Sequence, residues 1–199
     1  MHPLALVVLV VLGYAFLGWY DQAKRIVLLS RLLSHYQIEA LMERLNNGYM
    51  RALTLEDEER QALAFEQQHA TEQQLAEQLQ KLSQDLRQQP PADVRISKVP
   101  LPFARHWLPA ACFDLASVMT IHANGVSALA DNPTGIAAKP RARQMLAEVL
   151  LMQHTCHWFC RNRRMASARL LQRHQTPYED VLGRVSQKTR DGYGHLAGV

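Results

Sequence analysis

The chain has 199 residues, a net charge of +4 and three cysteines. An odd cysteine count excludes a complete disulfide framework, and two of the three share a helix face, so reduced thiols in a cytoplasmic setting fit better. The charge is uneven: residues 139–199 carry 11 Lys/Arg against 4 Asp/Glu, and residues 1–138 carry 11 against 14. Such a basic end suits an acidic partner, whether nucleic acid, anionic lipid or the chain's own acidic helix.

Pro3 to Tyr20 contains no charged residue. As a helix this run spans about 27 Å, close to the hydrocarbon thickness of a bilayer. Trp19 and Tyr20 close it where an interfacial aromatic belt belongs. A cleaved signal peptide needs Lys or Arg before the run and a small-x-small cleavage site. Met1-His2 and Leu17-Gly18-Trp19 supply neither. Residues 1–22 are read as an uncleaved transmembrane signal anchor. Lys24, Arg25 and Arg31 follow it. The positive-inside rule then puts the rest of the chain in the cytoplasm, beneath a bacterial-type inner (plasma) membrane crossed once.

Residues 23–48 read as a juxtamembrane amphipathic helix. Leu29, Leu32, Leu33, Tyr36, Leu41 and Leu45 alternate with Arg31, Glu39, Glu43 and Arg44. Asn46-Asn47-Gly48 is the expected stop. Residues 54–89 form a glutamine-rich helix, with Thr54 as cap and Glu56 to Glu59 in its first turn. It holds ten glutamines and a net charge of −5. Leu75, Leu79, Leu82 and Leu86 make about two heptads of a coiled-coil seam. Upstream, Phe65 fits the seam while Glu72, Gln68 and Gln61 do not. The seam is either a partly coiled-coil arm for self-association or partner binding, or the apolar face of a helix packed on its own domain.

Residues 90–102 read as a proline-rich linker. Val94, Ile96 and Val99 suggest a brief strand with no sheet to join. A small all-α domain, residues 103–185, follows. Leu115, Val118, Met119, His122, Val126 and Leu129 mark one face of a helix over 113–130. Gly125 weakens that helix by about 1 kcal/mol relative to alanine, and it allows a neighbour to approach closely. Asp131 to Gly135 is a turn into a helical hairpin. Its second arm, Lys139 to His174, meets no proline or glycine after Pro140 and reads as one long helix. Thr176-Pro177 restarts a short helix to Val185, and residues 186–199 read as a flexible tail.

The long helix concentrates the candidate chemistry. Cys156 and Cys160 are four apart, and His157 and Cys160 three apart, so they share one side. With His122 they form a candidate metal set, which His154 or Cys112 would complete for zinc, iron or haem. The spacing is neither the paired Cys-x-x-Cys of zinc modules nor the Cys-x-x-Cys-His of haem attachment. The competing reading is a packed helix whose thiols act as small apolar groups. A Cys–His nucleophile has no nearby carboxylate to orient the imidazole. Arg161, Arg163, Arg164, Arg169 and Arg173 form a candidate surface for an anionic partner. No aromatic residues interleave with them, which favours lipid or protein over nucleic acid. No phosphate loop or other catalytic motif appears. The expected role is a non-enzymatic, membrane-anchored accessory or scaffold protein; the alternative is a tethered metal- or haem-binding, redox-sensing domain.

Overall fold

The computed structural model describes residues 3–198. Met1, His2 and Val199, at the outer ends of the expected anchor and tail, lie outside the described residues. The fold is all-α, with 78 % of residues helical. α1 runs unbroken from Pro3 to Leu33, joining the apolar run to the juxtamembrane segment in one rod of about 46 Å. It is long and apolar enough to cross a membrane. Its residues from Leu4 to Leu17 are exposed on all sides, whereas Asp21, Arg25, Leu29 and Leu32 are buried along one face. The helix thus passes from fully exposed to half-buried at Asp21, and its second half packs against α7.

α2, Ile38–Thr54, runs through the expected stop at Asn46-Asn47-Gly48. The apolar period Ile38, Leu41, Leu45, Tyr49, Ala52 continues across those residues and is buried throughout. Burial outweighs local turn propensity here. Gly48 serves packing instead: an added Cβ would lie 2.3 Å from the Gln68 side chain. Thr54 is the last residue of α2 and caps nothing downstream. Asp57 caps α3, Glu58–Glu66, by accepting from the Arg60 amide at 2.9 Å.

A turn at Gln67-Gln68 separates α3 from α4, His69–Arg87. The seam leucines, Leu75, Leu79, Leu82 and Leu86, are all fully buried. α4 lies along α6 and α2, inside the domain. α4 is therefore not a projecting arm, and its seam faces this chain's own core.

The proline-rich segment contains a strand after all. β1, Arg95–Ser97, pairs antiparallel with β2, Cys112–Asp114, in the register Ile96↔Phe113. Two residues of the partner strand, Phe113 and Asp114, lie within the helix expected over 113–130. Between the strands lie the short helix α5, Ala104–Trp107, and one 3-10 turn, Pro109–Ala111. Trp158 secures the ribbon, donating from Nε1 to the Ser97 carbonyl at 2.9 Å.

α6, Leu115–Asp131, is capped by Asp114, which accepts from the Ser117 amide at 2.6 Å. It forms a hairpin with α7, Ala138–Cys160, across a turn closed by Asn132 in the left-handed region (φ 44°). Gly125 marks a close crossing: a Cβ there would sit 2.6 Å from Thr189 Oγ1 and 2.7 Å from Glu148 Oε2.

The single long helix expected over 139–174 is two helices. α7 ends at Cys160, and α8 spans Arg163–His174. Asn162 adopts extended backbone and its side chain accepts from the Met165 amide at 3.0 Å, an N-cap that needs no glycine or proline. α9, Tyr178–Arg184, follows. The expected flexible tail is mostly helix: α10, Gln187–Ala197, starts on a Ser186 cap and buries Thr189, Tyr193 and Ala197. It packs on α6, where Gly192 comes close to Ile121.

Candidate functional site

The junction between α1 and the domain is built from buried charge. Asp21 Oδ1 accepts from Arg105 Nη1 at 2.5 Å, and Asp21 Oδ2 lies 3.3 Å from Arg25 Nη2. Arg25 Nη1 also donates to the Phe159 carbonyl at 2.6 Å and the Arg161 carbonyl at 3.3 Å. Arg25 thereby caps the C-terminus of α7, where a cation suits the helix dipole. Burial pushes the Arg25 guanidinium below its usual range, and Asp21 acts against that. These residues were not candidates from the sequence. Asp21 and Arg25 at i,i+4, just past an apolar run, were the available signal.

Beyond this cluster a groove of about 720 Å³ opens between the packed half of α1, the start of α2 and the last turns of α7. Its apolar wall includes Ile26, Leu29, Leu33, Met42 and Met152. Cys156, His157 and Cys160 line it too. The helical spacing therefore brings those three together, but His122 is elsewhere. It lies on α6, fully buried, with Nε2 2.9 Å from Thr155 Oγ1. His154 faces away as well, with Nε2 3.0 Å from Ser167 Oγ, and Cys112 sits on β2. Among the described residues no group of three or more His, Cys, Asp or Glu side chains is placed to hold a metal ion. Of the set His122, Cys156, His157, Cys160, the last three share the groove and His122 does not line it.

The thiols suit packing more than reactivity. Burial, then the neighbouring Cys160, raises Cys156 to about 12. Burial raises Cys160 to about 11, although Arg25 and Arg161 pull it down. Thiols held so far above neutrality are poor nucleophiles. Burial lowers His157 to about 4, helped by Arg169 and Arg173.

Two further buried polar sites escaped the sequence reading. Glu72, fully buried, accepts from the Tyr49 hydroxyl and from Arg141 Nη1 at 2.5 Å. Glu148, also fully buried, accepts from the Ser186 amide at 2.9 Å and so ties α7 to the start of α10. Burial raises the Glu148 carboxyl above its usual range.

The buried imidazoles predict acid sensitivity. Burial lowers His122 to about 3, with His154 adding repulsion, and burial lowers His154 to about 3, with Arg163 next. Below pH 6.5 the unfolded chain binds protons that these native imidazoles refuse. Their stabilising contribution is full above that pH and declines as pH falls toward 3, by up to about 1.4 kcal/mol per histidine per pH unit. Glu148 works in the opposite direction, because its raised pKa lets the native state take a proton first, but one carboxyl offsets only part of two imidazoles. Urea midpoints are expected to fall between about pH 7 and pH 5, and less steeply in His122→Gln. An equal decline in that variant would assign the acid sensitivity to other groups.

The five arginines do not form one uniform face. Arg161 Nη1 donates to Gln22 Oε1 at 2.6 Å, which places it beside α1 just past the apolar run. The Arg163 guanidinium lies over the Trp158 and Tyr178 rings at 5.6 and 5.2 Å. Arg164, Arg169 and Arg173 are exposed on α8. Among the described residues none of the five is ion-paired, so the acidic first turn of α3 is not their partner. Compared with known proteins, the chain matches no family model, no curated sequence and no solved structure.

Proposed function

We propose that this is a single-pass, membrane-anchored accessory or scaffold protein whose domain sits on the cytoplasmic side of a bacterial-type inner membrane. It captures an amphipathic helix of a protein partner in the groove between α1, α2 and α7. The observation that carries this reading is the continuity of α1. The same rigid helix that is exposed and apolar up to Tyr20 forms a wall of the groove from Ile26 onward. That sets the groove mouth within about 9 Å of the end of the apolar run. An amphipathic helix fits such a trough by its apolar face. Met42, Met119 and Met152 supply an adaptable lining. Glu39 and Glu43, exposed one turn apart on the rim, favour a basic flank on the partner. Arg161, beside Gln22 of α1, and the exposed Lys24 favour anionic head groups at that end of the apolar run.

The seam leucines of α4 are committed to the core, so partner binding is assigned to the groove and not to residues 54–89. A photo-crosslinking side chain at Met42 of the full chain, in native membranes, is expected to give one discrete protein adduct. Adding Glu43→Lys should reduce it several-fold, since like charges would then face each other across the rim. The same side chain at Arg60, exposed on α3, should give none. No adduct at Met42, a lipid adduct only, or equal adducts at both positions would overturn the reading.

A further inference from the structure

The loop between β1 and β2 shows an apolar surface that the domain does not use. Trp107 is 80 % exposed, and Leu101 and Leu108 are 49 % and 45 % exposed. A soluble loop tip gains nothing from three large apolar side chains in water. Its position gives them a use. The Tyr14 hydroxyl donates to the Pro100 carbonyl at 2.7 Å, and Pro102 lies 3.8 Å from where a Gly18 Cβ would be. Tyr14 stands about 9 Å up the helix axis from Tyr20, inside the uncharged run. The loop therefore climbs alongside α1 to a level above the last apolar residue. Between loop and helix is a shallow cleft of about 680 Å³, lined by Tyr14, Leu17, Leu101, Phe103, Trp107 and Leu108 among others.

The conformation is held firmly. Phe103 sits in the left-handed region (φ 55°), a costly backbone for an aromatic residue. Its ring packs 6.3 Å from Tyr20, and the next turn sends Arg105 back into the buried Asp21 cluster. Within Leu101–Leu108 the one arginine, Arg105, is thus withdrawn into protein while the apolar side chains face out beside His106; Lys98, exposed, lies nearer the strands.

We propose that Leu101–Leu108 is a second membrane contact, seated in the interfacial layer beside α1, with a lipid acyl chain filling the cleft. This rests on the reading of α1 as a membrane span, because the depth of the loop is set by Tyr14 and Leu17. Indole at this level matches the preference of tryptophan for the head-group boundary. Exposed aliphatic neighbours add transfer energy in the same direction. Two contacts on one rigid body also fix the tilt of the domain, which a lone helix does not.

The three tryptophans, Trp19, Trp107 and Trp158, provide the test. Trp158 is buried and serves as an internal reference. Full-length protein is reconstituted into phosphatidylcholine vesicles carrying brominated acyl chains. The variants are Trp19→Phe, Trp107→Phe and the double exchange. The difference between Trp19→Phe and the double variant isolates Trp107, which is expected to lose about half its emission to the bromines and to emit further to the blue than a water-exposed indole. The difference between Trp107→Phe and the double variant isolates Trp19. Quenching of both supports the proposal. Quenching of Trp19 alone leaves α1 in the membrane and overturns the loop contact. Quenching of neither overturns the membrane-span reading and the loop contact with it.

Discussion

Asp21→Ala is expected to destabilise the full chain by about 3–5 kcal/mol, the cost of leaving a buried charge without its partner. The carboxylate is 3 % exposed and is the anionic member of a cluster with Arg25 and Arg105. Nε of each arginine already lacks a protein hydrogen-bond partner. Removing Asp21 would leave two guanidiniums facing each other in a desolvated corner. The effect should appear in denaturant unfolding of the detergent-solubilised protein. Asp57→Ala, which removes an exposed cap and a 4.0 Å surface pair, should cost only about 1 kcal/mol. Equal losses in the two variants would mean that the cluster is solvated and does not fix α1 to the domain. The position of the cluster gives the effect its meaning. Asp21 is the first charged residue after the apolar run, Arg105 arrives from the loop beside Tyr20, and Arg25 reaches the end of α7. One carboxylate thus joins the three elements that meet where the chain leaves the apolar segment.

Much of this was legible locally. The apolar run of α1, the period of α6 and the shared side of Cys156, His157 and Cys160 all follow from composition and helical spacing. What stayed hidden depends on residues distant in sequence. Upstream of the seam leucines, Glu72, Gln68 and Gln61 break the apolar pattern, yet all three are buried. Glu72 is answered by Tyr49 and Arg141, and Gln61 donates to the Ala52 and Leu55 carbonyls. On α4 the period continues at Glu72, whose partners come from α2 and α7, while Gln68 lies in the turn and Gln61 on α3, so a hydrophobicity reading stops one turn too early. The break after Cys160 is similar. Its orphan carbonyls are met by Arg25, and no local glycine or proline announces it. β1 lacked a visible partner because Cys112–Asp114 also fits a helical start. His122 was misplaced for a different reason. Helical period assigns a residue to a buried face but not to a particular neighbour, and the neighbour here is Thr155 on the inner side of α7.

Leu79→Ala is expected to cost about 2–5 kcal/mol, the loss of a buried side chain plus the cavity left behind. Leu79 is fully buried on α4, between α2 and α6. The same substitution in an exposed coiled-coil arm would act differently: it would weaken self-association and leave the unfolding of the domain almost unchanged. The two alternatives therefore separate on two axes. In denaturant unfolding the midpoint should fall at constant slope, since a cavity changes stability and not the surface exposed. In analytical ultracentrifugation the oligomeric state should not change. Lost association with an unaltered midpoint would overturn the assignment of the seam to the core. The glutamines around the seam fit the same account. Gln73 donates to Asp131 at 3.2 Å and Gln80 to Asn124 at 3.0 Å, both on α6. Polar flanks of a self-associating arm would be left free for a second chain, whereas these spend their donors on the helix that α4 already faces.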